Sequence, residues 1–308
     1  MMSPEDQKRL AGWQNAAAPL GAILLGQSTQ SWEEGRAQYM SALDRLFPAP
    51  EGVSFETVEM DGVSAMLVTP DDVIDGKVLF YIHGGGYVHG GTLAYRGLAG
   101  RYAKALKARV YVPDYRQAPE HPYPTPLDDT YRALKSLYDA GVAPTKLTIS
   151  GDSAGGAMVV TMMRKVRDAG LPLPAAGVAI SPWADLTHSS KSQYERDGID
   201  PVCSREFLML LAKEFLGNTL PSDPDASPVF ADVRGLPPTL IQIGENEVML
   251  SDAMRLATHL GENRVRTSLE IWPGMFHVWH LFGGMPEADD ALRNAVFFLE
   301  DAMTKAQA

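Results

Sequence analysis

Leu147-Thr148-Ile149-Ser150-Gly151-Asp152-Ser153-Ala154-Gly155 runs from an apolar, β-branched segment into a helix-forming one, with a glycine-flanked serine at the junction. At a sharp strand-to-helix turn the middle residue is forced into a strained backbone, and glycines two positions either side let strand and helix approach closely. The Ser153 oxygen is then held out above the sheet. The N–H of Ala154 sits at the helix N-terminus, where it can donate to a developing oxyanion. Taken alone, G-x-S-x-G is a common pattern, and a plain turn accounts for it equally well.

Outward from this junction, short β-branched or aromatic runs alternate with longer helical patterns from Ser54 to Ala306, the order of βαβ units in a mostly parallel sheet. Val78 to Ile82, Arg109 to Val112, Leu147 to Ser150, Gly177 to Ile180 and Thr239 to Ile243 are nearly continuous in apolar character, as strands covered on both faces are. Ser54 to Val68 adds two alternating strands, read as an antiparallel hairpin at one edge. Thr125 and Pro126 read as cap and first residue of a helix, and Gly141 and Gly170 as helix ends. The first ~45 residues and the stretch 185–228 break the alternation. The latter carries Phe207, Leu208, Leu210, Leu211, Phe215 and Leu216 at helical spacing, consistent with a buried helix and with a cap over a pocket. The expected organisation is one α/β domain over 1–308 with a helical cap from about 1–45 and 185–228.

A second glycine motif, His83-Gly84-Gly85-Gly86-Tyr87, directly follows the run Val78 to Ile82. Successive glycines cost conformational entropy, acceptable where a backbone must offer N–H groups to a ligand. Gly84 and Gly85 are the expected donors. His83 reads better as ordering the glycines by hydrogen bonds than as a base.

These two motifs, together with Tyr115-Arg116-Gln117-Ala118-Pro119-Glu120-His121-Pro122 and Ser181-Pro182-Trp183, resemble the hormone-sensitive lipase family of α/β-hydrolases, in its bacterial esterase branch. The matches fall in the family's order, from about Lys77 to the C-terminus. The resemblance implies an α/β-hydrolase fold with a mostly parallel central sheet flanked by helices. It also implies a cap built from the N-terminal and inserted helices, no cofactor, and hydrolysis of short or medium acyl esters.

In that family the acid and then the histidine follow the serine. Trp272-Pro273-Gly274-Met275-Phe276-His277 is similar to its histidine loop, so the resemblance assigns His277 over His280; His259 falls in a helical pattern and reads as surface. The family's acid is an Asp three residues after a strand-ending Gly. Here Gly244-Glu245-Asn246-Glu247 has Glu at that position and no following Pro. Glu247 is preferred over Asp252, since a carboxylate need only accept the other imidazole N–H, whereas Asp252 begins a helix and is explained by capping. Asp152 is expected to anchor a neighbouring loop, Arg116 and Glu120 to form an internal ion pair or a loop network, and Tyr87, Trp183 and Phe207 to line the pocket or simply the core. An amide or N-acetyl hydrolase with the same triad, and a non-catalytic receptor on the same fold, are the alternative functions.

Composition narrows the remaining classes. A formal net charge of −11 and a pI near 5.1, without a dense Lys/Arg cluster, argue against nucleic acid and anionic membranes as partners. No apolar run approaches the ~20 residues of a membrane span. Cys203, the one cysteine, can form no internal disulfide and lies in no thiol-activating motif, which suits a reducing, cytoplasmic setting. No metal-ligand spacing occurs. The expected partner is a small-molecule ester, with a homodimer through an edge strand conceivable.

Overall fold

The apolar runs assemble into one eight-stranded sheet in the computed structural model, which describes residues 2–307. The strands are β1 (Val53–Glu59), β2 (Ser64–Pro70), β3 (Val78–Ile82), β4 (Arg109–Pro113), β5 (Leu147–Asp152), β6 (Ala176–Ile180), β7 (Thr239–Gly244) and β8 (Thr267–Trp272). Their spatial order is β1-β2-β4-β3-β5-β6-β7-β8. β2 is antiparallel to β1 and to β4, and every other pairing is parallel. The hairpin therefore lies at one edge, and β5, which leads into Ser153, lies in the middle.

The strands are apolar without alternation because successive side chains serve two opposite cores. Phe80 and Ile82 of β3 join Ile149 and Ile241 in one; Leu79 and Tyr81 join Val110, Val178 and Leu240 in the other. The first core is closed by α4 (Thr125–Asp139), α5 (Ala154–Asp168) and α8 (Leu250–Glu262). The second is closed by α3 (Arg96–Leu106) and α9 (Pro286–Ala306). β8 escapes the sequence reading because it is the other edge: Ser268, Leu269 and Ile271 are exposed, and its Thr, Ser and Glu residues break the apolar run.

The segments that break the alternation are helical. α1 (Pro4–Leu24) and α2 (Trp32–Leu46) precede the sheet, and α6 (Ser192–Glu195) and α7 (Arg205–Leu216) fall within 185–228. α2 opens on a full capping box between Ser31 and Glu34. α4 differs from expectation: Thr125 is its first residue, Pro126 its second, and no side chain caps it. Gly141 and Gly170 follow their helices at positive φ, as read.

The turn from β5 into α5 leaves no space. A β-carbon on Gly155 would lie 2.0 Å from the carbonyl oxygen of Ile82. Gly155→Ala is therefore expected to cost about 2–3 kcal/mol, seen as a melting temperature lower by ~5 °C or more. Gly261→Ala, on an exposed turn of α8 where a β-carbon meets nothing, should instead stabilise by about 0.5–1 kcal/mol. Thermal unfolding of the two variants checks both signs.

Candidate active site

Ser153 occupies the turn at φ 56° and ψ −120°, a conformation that costs a non-glycine residue energy and is held by its surroundings. Its N–H donates to the Ile180 carbonyl at 2.9 Å, and its carbonyl accepts from Ala157 and Trp183 at 3.1 and 3.0 Å. Ala154 is the first residue of α5, so its N–H has no partner within the helix.

His277 follows β8 and is buried. Its Nδ1 lies 2.8 Å from Glu247 Oε2; the carboxylate can only accept, so the ring donates there and Nε2 is left as the basic nitrogen. The other oxygen, Oε1, accepts from the Gly244 N–H and from Ser181 Oγ, each at 2.7 Å. Ser181 Oγ in turn accepts the N–H of Val278 at 3.2 Å, tying the acid to the residue after the histidine. Ser181 was quoted in the sequence only as part of Ser181-Pro182-Trp183, and its polarity at the end of an apolar strand was the available signal. Burial works against the imidazolium, and Cys203, kept a neutral thiol by its own burial, supplies no charge; the Glu247 carboxylate favours the imidazolium and raises the His277 pKa. Cys203 is buried and lines the same cavity as His277.

Asp252 stands apart from this pair. It is not a cap: its buried carboxylate accepts from Ser190 Oγ and from Gln193 Nε2. Burial raises its pKa to about 7. His280 bonds Gln242 Oε1 at 3.0 Å, and His259, half-buried, bonds the Ala231 carbonyl at 2.7 Å.

The glycine loop is fixed from beneath by Asp152, whose carboxylate accepts Tyr81 OH at 2.8 Å, Tyr95 OH at 2.7 Å and the Gly84 N–H at 3.2 Å. Burial lifts its pKa to about 6 against these bonds. The Gly84 N–H also donates to Tyr95 OH at 3.0 Å. This corrects the expected donor pair: Gly84 is committed to the interior, whereas Gly85 and Gly86 line the cavity. Among the described residues no acceptor engages the N–H of Gly85 or Gly86. Gly85 has φ 111°, and a β-carbon there would lie 1.9 Å from the His89 carbonyl oxygen. His83 binds the Gly84 carbonyl through Nδ1 at 2.8 Å and stacks on Tyr115 at 4.2 Å, so it orders the loop.

Arg116 and Glu120 do not pair with each other. Arg116 grips Asp129 with two bonds of 2.8 Å, and Glu120 binds Arg36 of α2 at 2.7 and 3.0 Å. Arg36 also donates to the Val88 carbonyl at 2.7 Å, clamping α2 to the glycine loop.

Ser153, His277, Gly85, Gly86 and Ala17 share one cavity of about 60 Å³, closed over by Trp13 of α1, Tyr39 of α2 and Phe207, Leu208 and Leu211 of α7. Of the three aromatics expected at the pocket, Phe207 lines it. Tyr87 and Trp183 are wholly buried away from it: Tyr87 stacks on Phe215 at 3.7 Å and packs against Trp183 at 5.9 Å. Both are core. Among the described residues no cluster of three or more His, Cys, Asp or Glu could hold a metal ion, and no helix is long and apolar enough to cross a membrane.

Comparison with known proteins places this geometry. The α/β-hydrolase fold family matches residues 79–281. An acetyl-hydrolase of Streptomyces hygroscopicus is 39% identical over 229 residues, covering 74% of this chain and 77% of that protein. An esterase of Acinetobacter venetianus is 31% identical over 261 residues, covering 84% and 86%. The crystal structure of an esterase from the bacterial hormone-sensitive lipase family superposes with a TM-score of 0.91 at 35% identity, covering 98% of this chain and 99% of that one. Matched by the family over most of its sheet and by these relatives over most of its length, the chain belongs to the bacterial hormone-sensitive lipase family of the α/β-hydrolases.

Proposed function

We propose that the chain hydrolyses short- to medium-chain carboxylic esters through an acyl-enzyme on Ser153. The observation that carries this reading is that His277, hydrogen-bonded to Glu247 at 2.8 Å, lines the same cavity as a serine held at the N-terminus of α5. His277 Nε2 takes the proton of Ser153 as its oxygen attacks the ester carbonyl, and Glu247 stabilises the imidazolium. The amides of Gly85 and Ala154, with Gly86 beside them, stabilise the tetrahedral oxyanion, where each donor supplies about 3–4 kcal/mol. The alcohol leaves with the proton from His277, and water repeats the sequence on the acyl group.

The names of the relatives, acetyl-hydrolase and esterase, support the same reaction. A small cavity of about 60 Å³ with a mostly apolar lining suits a short acyl group. Residues from about 1–45 and 185–228 serve as the cap, since α1, α2 and α7 supply the apolar roof.

Ser153→Ala should lower kcat on p-nitrophenyl acetate by ~10⁵-fold or more; turnover at the wild-type rate would overturn the mechanism. Glu247→Gln should lower kcat/KM by ~10³-fold or more, while Asp252→Asn stays within about threefold of wild type by the same reasoning. A base must be neutral, so kcat/KM should fall as pH drops through the raised His277 pKa, with that limb above the ordinary histidine value of ~6.5. Removing the Glu247 charge destabilises the imidazolium, so the same limb should move to lower pH in Glu247→Gln. Asp152→Asn places an amide against donors it cannot fully accept, and should lower kcat about tenfold to a hundredfold with little change in KM.

A further inference from the structure

Asp200 is a buried carboxylate that the proposed chemistry does not use. Its Oδ1 accepts the N–H groups of Val202 at 2.9 Å and Cys203 at 3.3 Å. Its Oδ2 accepts the N–H of Val248 at 3.4 Å, the residue after Glu247. Among the described residues no cation pairs with it. A carboxylate is costly to bury on backbone donors alone, so its position needs a reason.

The segment it holds is a thin wall. On its inner side lies the cavity of Ser153; on its outer side lies an open groove of about 330 Å³ between α1 and residues 198–207. Ala17, Val202, Cys203 and Phe207 line both spaces. The wall is tied at its rim, where Gln14 Nε2 donates to the Pro201 carbonyl at 2.7 Å, and from beneath by Asp200. The inner space, about 60 Å³, is much smaller than the groove of about 330 Å³ outside, so the larger limb of an ester finds its room in the groove.

The side on which each limb lies follows from proton transfer. The leaving oxygen must reach His277, which returns the proton, so the alcohol limb points to the histidine side of the cavity. That side borders the wall, because His277, Val202 and Cys203 line the same cavity.

We propose that this wall is the substrate gate: the short acyl limb occupies the inner cavity, an apolar alcohol limb lies in the outer groove over Ala18 and Gly21, and Asp200 latches Val202 and Cys203 to the turn carrying Glu247. This rests on the ester-hydrolase reading and adds which limb goes where.

Two measurements on the full chain test it. Cys203 is the only cysteine, so its rate of reaction with 5,5′-dithiobis(2-nitrobenzoate) reports opening of the wall. Asp200→Ala should speed that reaction at least tenfold, with Asp200→Asn, which keeps one accepting oxygen, in between. An unchanged rate in either folded variant overturns the latch. Ala18→Trp, on an exposed face of α1, fills the groove without touching the chemistry. It should lower kcat/KM for hexyl acetate at least tenfold through KM, while ethyl acetate and ethyl hexanoate change less than threefold. Loss on ethyl hexanoate instead, or an equal loss on all three, overturns the assignment of the limbs. Absence of ester hydrolysis in the wild type would remove the function reading, and the thiol rates would still decide the latch.

Discussion

Between the start of α5 and the end of β3 there is no room for a single methyl group. Gly155 presses on the carbonyl of Ile82, the last residue before the glycine loop, so the serine turn and that loop are set against each other by backbone alone. Backbone contact of this kind does not relax by a change of rotamer, and protein interiors transmit such constraints with little loss. Ser153 keeps its strained conformation because both sides of the turn are fixed: Ile180 and Trp183 hold it from β6, and α5 holds it from above. Gly85 and Gly86 thus line the same small space as Ser153.

Three buried carboxylates extend this fixed frame, none of them paired with a lysine or arginine among the described residues. Asp152 ties the serine turn to the glycine loop through two tyrosine hydroxyls and an amide. Glu247 gathers an amide, Ser181 and the imidazole of His277. Asp200 joins the cap segment to the turn that carries Glu247. Each is stable in the interior only because its oxygens are matched by donors, and each loses that balance if one donor is removed. The site is therefore held by polar groups that report on one another, set within an otherwise apolar body.

Much of the scaffold could be read directly from the chain, for a physical reason. Val78 to Ile82 is apolar at every position because alternate side chains enter opposite cores, and its limits coincide with the strand. β8 was missed because an edge strand needs no such run. Ser153, His277 and Glu247 are read from local motifs and chain order, and the fold places His277 in hydrogen bond with Glu247 and in one cavity with Ser153. What local motifs do not name are distant partners. Arg116 and Glu120, read as an ion pair or a loop network, form the network, with Asp129 and Arg36 as partners that their spacing does not name. Asp252 looks like a cap, yet it bonds Ser190 and Gln193. Tyr87 and Trp183, read as pocket or core, are core, while Gly84, read as an oxyanion donor, spends its N–H on Asp152 and Tyr95.

The central claim is that one hydroxyl, one imidazole and two or three amide hydrogens surround the same reacting centre. The most direct measurement is a crystal structure of the chain inactivated with diethyl p-nitrophenyl phosphate, whose phosphoryl oxygen imitates the oxyanion. The account predicts phosphorus bonded to Ser153 Oγ, with that oxygen about 2.7–3.1 Å from the amide nitrogens of Gly85 and Ala154 and the ring of His277 facing the ester oxygens. Phosphorus on another residue, or a phosphoryl oxygen directed away from those amides, would contradict it.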